Sequence, residues 1–528
     1  MLPLACGQTE SGSEQVGAPS TTAAAIDSTG SNTGGNTGTI DTASSSTTTS
    51  VPSFPSTSGV SSVGGSNATS GSGSGDAVGT SSGGTGGNGS GGAHTSGTGG
   101  SGGAHTSGTG GSGGAGEEPS SWSTPVVVVA NGINPRIAMN DAGTAVVGWT
   151  QQLDYGELWA MLYTRDSGWG AADPIASYDS LAGLPRVAIN DAGFAALTWD
   201  ALGARPLVAS LHDPAAPDPW GPAEFVAVSE NSRGYNPDLA IDASGRTVVV
   251  WMEDVIETGD EADNELWSNT WTPDAGWGNP VPIRQALNPE NPAISMNDTG
   301  NAVVVWAESG ASDITVRGTH AEAGTGWAEP TSIQTAGQFG VNPQVAIDPE
   351  GNAMAVWWQN DFQDRGPNIW ANRFSARTGW GEAELIDAGR RSYFPLVGVD
   401  DAGNATALWI EEPGYSQIWA NRHTPDSGWG TPELISTEDF ICDVPALAVG
   451  PAGDAVAVWR QTIGTYSQLW SNRYLPGAGW GDPEVIDASS TNVGTPDVAI
   501  DGAGNAITVW DGAEGDVWRS WASTASRP

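Results

Sequence analysis

The sequence predicts an all-β chain built from repeated four-stranded units, and two observations carry that expectation. Eight prolines, Pro135, Pro185, Pro237, Pro292, Pro343, Pro395, Pro445 and Pro496, recur 50 to 55 residues apart. After each come a short apolar run, an Asx-x-x-Gly step, a second apolar run and a closing tryptophan: Trp149, Trp199, Trp251, Trp306, Trp357, Trp409, Trp459 and Trp510. A period near 50 residues made of short strands marks a radial or linear β array.

Aligned, the units give four strands, A to D. Strand A reads Pro-x-Val-Ala-Ile, as in Pro343 to Ile347. The turn after it begins at Asn140, Asn190, Asp242, Asn297, Asp348, Asp400 or Asp501, with Gly450 breaking the series, and has Gly three residues later. An Asx side chain accepts from backbone two residues on, which is tight hairpin chemistry. Strand B, Asn301 to Trp306 in the fourth unit, is nearly all apolar, as expected of a strand covered on both faces. Strand C alternates and carries Trp159, Trp267, Trp370, Trp419, Trp470 and Trp518. A second turn, typified by Thr424 to Gly430, leads to strand D at Pro432 to Ile435. Its tryptophan recurs at 169, 220, 277, 327, 380, 429 and 480.

The last unit stops after strand C. A spare Trp-x-x-Pro with an apolar strand, Trp122 to Val129, stands at the other end of the repeat region. Pairing the two ends accounts for both the deficit and the surplus, and removes exposed edges. The expected fold is an eight-bladed β-propeller closed by this N-terminal strand, with seven blades as the alternative. Counting Trp122, the three recurrent positions hold 22 of the 25 tryptophans. Recurrence at fixed positions reads as inter-blade core rather than as a row of sugar platforms.

Three domains are expected. Residues 1–6 read as the remnant of a lipoprotein signal peptide, 7–120 as a disordered tether and 121–528 as the propeller. The tether is Gly, Ser, Thr and Ala, with an 11-mer at Ser90 to Gly100 copied at Ser101 to Gly111. Such composition buries too little apolar surface to offset its ordering entropy. His94 and His105 read as copied low-complexity sequence. Leu2-Pro3-Leu4-Ala5-Cys6-Gly7 resembles the end of a bacterial lipoprotein signal, although it lacks the charged and full apolar regions of one. Cys6 is thus the expected lipidation site. The expected location is the outer membrane, through that anchor alone, or the secreted fraction.

The repeat region has 53 acids against 18 arginines and no lysine, a net charge near −35. Such a field repels nucleic acid and anionic lipid. With Cys6 and Cys442 the only cysteines there is no disulfide framework or Cys-based metal site.

The motif Val-Ala-Ile-Asp-x-x-Gly-Asn-Ala at 345 to 353, with the Gly-Trp-Gly turns, resembles the repeats of bacterial β-propeller lipoproteins. At fold level it also resembles the sialidase-like and NHL-type propellers. The resemblance implies the fold and leaves function open, because propellers host unrelated activities. The sialidase Asp-box and the WD-repeat signature are both unmatched.

No catalytic motif, metal site or cofactor is expected. His212, His320 and His423 fall in different units and read as structural. Arg136, Arg186 and Arg284 lie near A strands, but only the first two share a repeat position. The acidic loop Glu253 to Glu265 lacks calcium-ligand spacing and reads as a solvated charge run. The Asn-Arg pairs at 372–373, 421–422 and 472–473 read as an inter-blade hydrogen-bond network.

The favoured function is a surface-exposed, monomeric binding or scaffold module for a protein or carbohydrate. An envelope hydrolase of sialidase or glycosidase type, working at the central channel, is the alternative. A–B and C–D turns lie on one face and the longer, more variable B–C and D–A loops on the other. The variable loops carry Tyr155, Tyr178, Tyr235, Phe339, Phe362, Tyr393, Tyr415, Phe440 and Tyr466, the expected partner-binding residues.

Overall fold

A computed structural model describes residues 121–528 apart from short segments at 153–155, 179–182, 201–206, 218, 227–232, 255–263, 286–287, 311–312, 336–337, 361–365, 390, 413, 439, 489–491 and 515–516. Cys6, the tether, Tyr155, Phe362 and most of the acidic loop lie outside the described residues, as does the side chain of Tyr178.

The described residues are all-β and form antiparallel sheets in a propeller-like arrangement. In the first repeat, strands Gly132–Met139, Ala145–Gln152, Gly156–Thr164 and Gly168–Tyr178 pair in chain order. The sixth follows suit with Ser392–Val399, Ala405–Glu411, Gln417–Thr424 and the stub Glu433–Leu434. The spare strand Val126–Ala130 pairs antiparallel with Val517–Ala525 of the last repeat, as the end deficit leads one to expect. Trp122 joins it through a bridge to Ala525, and its indole donates to Ser471 Oγ at 2.8 Å.

Several D strands are shorter than the sequence suggests. Pro432 has no N–H to give the ladder, so pairing starts only at Glu433, opposite Ala420. The turn tryptophan forms its own two-residue pairing, Gly428–Trp429 against His423 and Thr424.

The tryptophan count also needs one correction. In five repeats the strand-B tryptophan faces a strand-C tryptophan, as Trp409 faces Trp419. In the last repeat the residue facing Trp510 is Trp521, not Trp518. The long B–C hairpin, Ala506–Glu514 with Val517–Ala525, places Trp518 near its exposed tip, 37 % accessible. The eight strand-B tryptophans are fully buried, whereas the strand-C and turn tryptophans are half-buried or exposed.

Apolar clusters lie between consecutive repeats. Val397 and Trp409 of the sixth pack on Met354, Val356 and Ile369 of the fifth. Ile137, Val147 and Trp149 of the first repeat pack on Ala499, Ile507 and Val509 of the last. The Asn-Arg pairs add hydrogen bonds across these boundaries. Asn372, Asn421 and Asn472 each donate through Nδ2 to a carbonyl before them in chain order, that of Ile333, Ile386 and Ile435, at 2.8, 3.0 and 2.9 Å. Arg422 and Arg473 donate forward to the carbonyls of Gly453 and Gly504.

Candidate functional site

The recurrent proline lies on a β-bulge. In the fifth repeat Val341 pairs with Trp358 and Gln344 with Val356, so Asn342 and Pro343 together face Trp357. Six repeats share this arrangement opposite the strand-B tryptophan. A bulge suits proline, which has no N–H to leave unpaired. It also forces the preceding residue to positive φ. Asn134, Asn236, Asn291 and Asn342 take φ of 52, 48, 49 and 50°, which asparagine tolerates. In the next two repeats the same place is held by Phe394 (φ 52°) and Val444 (φ 43°). For such residues this conformation costs about 1–2 kcal/mol each.

A cavity of ≈ 200 Å³ lies at this level. Asn291, Asn342, Phe394, Val444 and Thr495 on its wall are the residue before the repeat proline in five consecutive repeats. Tyr393, Leu396 and Ile410 extend its apolar side, and Gln344, Ser416, Glu412 and Asp443 its polar side. The cavity sits where A strands begin, at the end that carries the B–C and D–A connections. Asn291 Nδ2 donates to Asn342 Oδ1 at 3.0 Å, joining two repeats at the wall. The Asp443 carboxylate is held by Arg460 through bonds of 2.7 and 2.6 Å. Burial pushes the Cys442 thiol up to about 12, so this wall residue is an inert hydrophobe.

The residue after each proline distinguishes the two halves of the repeat array. Consecutive A strands read Arg136, Arg186, Asp238, Ala293, Gln344, Leu396, Ala446 and Asp497. Charge is thus confined to the first three repeats and the last. Arg136 is buried; its Nη1 donates to Pro135 O at 3.1 Å, while Nε and Nη2 have no hydrogen-bond partner among the described residues. Burial lowers its pKa, Asp497 opposes that, and Arg186 adds to it. Arg186 Nε is 4.0 Å from Asp238. Asp497 and Asp511 are raised by burial, although backbone amides and Arg136 counter this. These carboxylates accept from backbone N–H groups of Ile137, Asn134 and Thr495 and serve as structural acceptors.

At the opposite end, the second turn residues Asp141, Asp191, Asp298 and Asp401 repel one another across repeats. Partial burial first, then Asp191, Asp401, Asp298 and Asp501, push Asp141 up to about 7; burial, then Asp400, Glu350, Asp298 and Asp191, push Asp401 up to about 6. Among the described residues no three His, Cys, Asp or Glu side chains gather as a metal ion would need.

Of the expected binding residues, Tyr393 lines the cavity, its ring 6.3 Å from that of Phe394 and 5.7 Å from Trp358. Tyr415, next to the wall residue Ser416, is 56 % exposed and Tyr466 is 53 % exposed. Tyr235, Phe339 and Phe440 are half-buried and do not reach the cavity. His212 and His423 are buried against Trp220 and Trp429, and His320 stacks on Phe374, consistent with structural roles. Sequence reasoning missed Phe394 and Val444. The signal was partial: an Asn-Pro step in four repeats, replaced at Leu184, Phe394, Val444 and Thr495, of which Phe394 and Val444 keep the positive φ.

No protein-family profile matches the chain, and no curated protein matches it either. Among solved structures it is similar to a puromycin hydrolase, with 14 % identity over 72 % of this chain and a TM-score of 0.43; the chain spans 58 % of that protein's length. It is also similar to an ulvan lyase, a polysaccharide lyase, with 10 % identity over 75 % of this chain and 94 % of that one and a TM-score of 0.44. A third is an intramolecular trans-sialidase from Ruminococcus gnavus, at 8 % identity over 65 % of this chain and 94 % of that one, TM-score 0.35.

Proposed function

We propose that the repeats close into an eight-bladed propeller, and that the cavity between its fourth and eighth blades is the ligand site of a binding module. The observation that carries the reading is the convergence of five equivalent positions on one cavity, two of them departing from asparagine at a cost in backbone strain. Strain of this kind collects at ligand sites. Apolar walls with a few convergent polar groups are the usual lining of a binding pocket. On this reading Tyr393 is inside the site, and Tyr415 and Tyr466 extend it across the variable face. A tether lipidated at Cys6 would display the module outside the outer membrane.

Alanine replacement of Tyr393 and of Tyr415 should weaken binding of any ligand found by screening about tenfold, with Tm unchanged. Asp141→Asn on the opposite face should leave binding intact. Loss of binding in Asp141→Asn, with no loss in the tyrosine variants, would place the site elsewhere.

A second reading, a hydrolase, is favoured by one observation. Glu412 and Asp443 line the same cavity, and two carboxylates are the minimum set for ordinary glycoside hydrolysis. Arg460 pairs with Asp443 at 2.6 Å and fixes its position on the wall, and Glu412 is the exposed second carboxylate. Turnover of a bound glycan that disappears in Glu412→Gln, while binding persists, would establish this reading over simple binding.

A further inference from the structure

We infer that this cavity selects a neutral, hydroxyl-bearing ring, the residue of an uncharged glycan, and that Phe394 and Val444 are its specificity-determining residues. The inference rests on the reading of the cavity as the ligand site. In four repeats the bulge position is asparagine, the residue that the left-handed backbone accepts best after glycine. Phe394 and Val444 occupy the same conformation although the backbone disfavours both. Neither is fully buried, although Phe394 also packs on the core cluster of Leu396, Ile410 and Trp459. What they share is the cavity wall. Side chains kept against local preference at a concave surface are there for what they touch.

The chemistry of the wall narrows the ligand. Phe394 and Tyr393, with Leu396 and Ile410 beside them, offer flat apolar surface for the C–H face of a ring. The Asn342 and Gln344 amides both donate and accept, as does the Ser416 hydroxyl, and the Glu412 carboxylate accepts. This mixture pairs with hydroxyl groups. No arginine lines the cavity, and the two charged groups that do are carboxylates, Glu412 and Asp443, the second paired with Arg460. In a chain of net charge −42, a sulfated or uronic ring would bring its anion toward like charge. The arginines of the A-strand series lie in the first two repeats, away from the fourth to eighth that build the wall.

The test uses the full chain, with neutral tetrasaccharides (β-glucan, xylan and galactan fragments) and uronic-acid tetrasaccharides as probes. Binding is read by saturation-transfer NMR and calorimetry. At least one neutral probe should bind, and uronic probes about tenfold or more weakly. Val444→Asn should raise Tm by about 2 °C, by relieving strain, and both Phe394→Asn and Val444→Asn should weaken the neutral probe about tenfold. A higher Tm with unchanged affinity would overturn the specificity role. Preference for the uronic probes, abolished by Phe394→Asn, would overturn neutral selection and leave the pocket reading intact. Neutral binding indifferent to Phe394→Asn, Val444→Asn and Tyr393→Ala together would overturn the pocket reading itself. Silence of every saccharide would overturn the ligand class.

Discussion

The Asp497 carboxylate of the last repeat accepts a hydrogen bond at 3.0 Å from the backbone N–H of Ile137 in the first, 360 residues away in sequence. Asp238 does the same for Ile294 at 2.9 Å, and Ser295 Oγ for Ile347 at 3.2 Å. The contact between the chain ends thus uses the same carboxylate acceptor and the same strand-A positions as the contact between the third and fourth repeats, whereas the Ser295 bond lies two residues further along strand A. Trp122 is buried among residues of the seventh and last repeats, and Val129 among residues of the first and last.

Trp122→Ala should accordingly cost about 3–5 kcal/mol, the usual result of truncating a buried aromatic. The variant also leaves Ser471 without its indole donor. Deletion of residues 121–130 should cost more, because it uncovers the edge of Val517–Ala525. Denaturant melts of both variants check this, and an unchanged midpoint in the deletion would rule out end-to-end closure.

Asn472 is expected to be worth more than a surface amide. It donates to Ile435 O at 2.9 Å and to Gly481 O at 3.0 Å, tying two repeats together. Asn472→Ala would leave two carbonyls short of a partner and should lower stability by about 1–3 kcal/mol. Asn472→Asp, which keeps the size but loses the donor, should be at least as damaging.

Stability should fall as pH rises through the carboxylate range of the turn face. Asp141, pushed up to about 7, keeps its proton in the folded chain between roughly pH 4 and 7, where the unfolded chain has released it. The folded state thus holds more protons in that window, so stability is higher at its acid end and is lost on the way to neutrality. Asp401, at about 6, acts in the same direction. Allowing for solvent screening of these half-buried groups, Asp141→Asn should gain about 1 kcal/mol at pH 8 and nothing at pH 4. Equal Tm differences at both pH values would contradict the assignment.

Anchoring at Cys6 is tested by expressing the chain behind a complete lipoprotein signal joined at Ala5-Cys6. The product should be acylated and membrane-associated, and Cys6→Ala should release it. A soluble, unacylated product from the complete signal would remove the anchor.

The sequence by itself determined the repeat, the positions of the A, B and C strands and the Asx-Gly turns, because these follow from local alternation and turn chemistry. It also determined that Trp122 to Val129 would pair with the last repeat, because a missing strand is a local deficit. The length of strand D was not legible, since ladder pairing there depends on where a proline withdraws its N–H. Nor was the exchange of Trp518 for Trp521, which depends on how far a hairpin runs before it turns. Tyr393 was legible as a loop aromatic, but its place beside Phe394 on a cavity wall was not. Five residues spaced about 50 apart become neighbours only when five A strands start at one level and each carries its bulge there. Register and convergence are long-range properties of packing, and only the tertiary structure decided them.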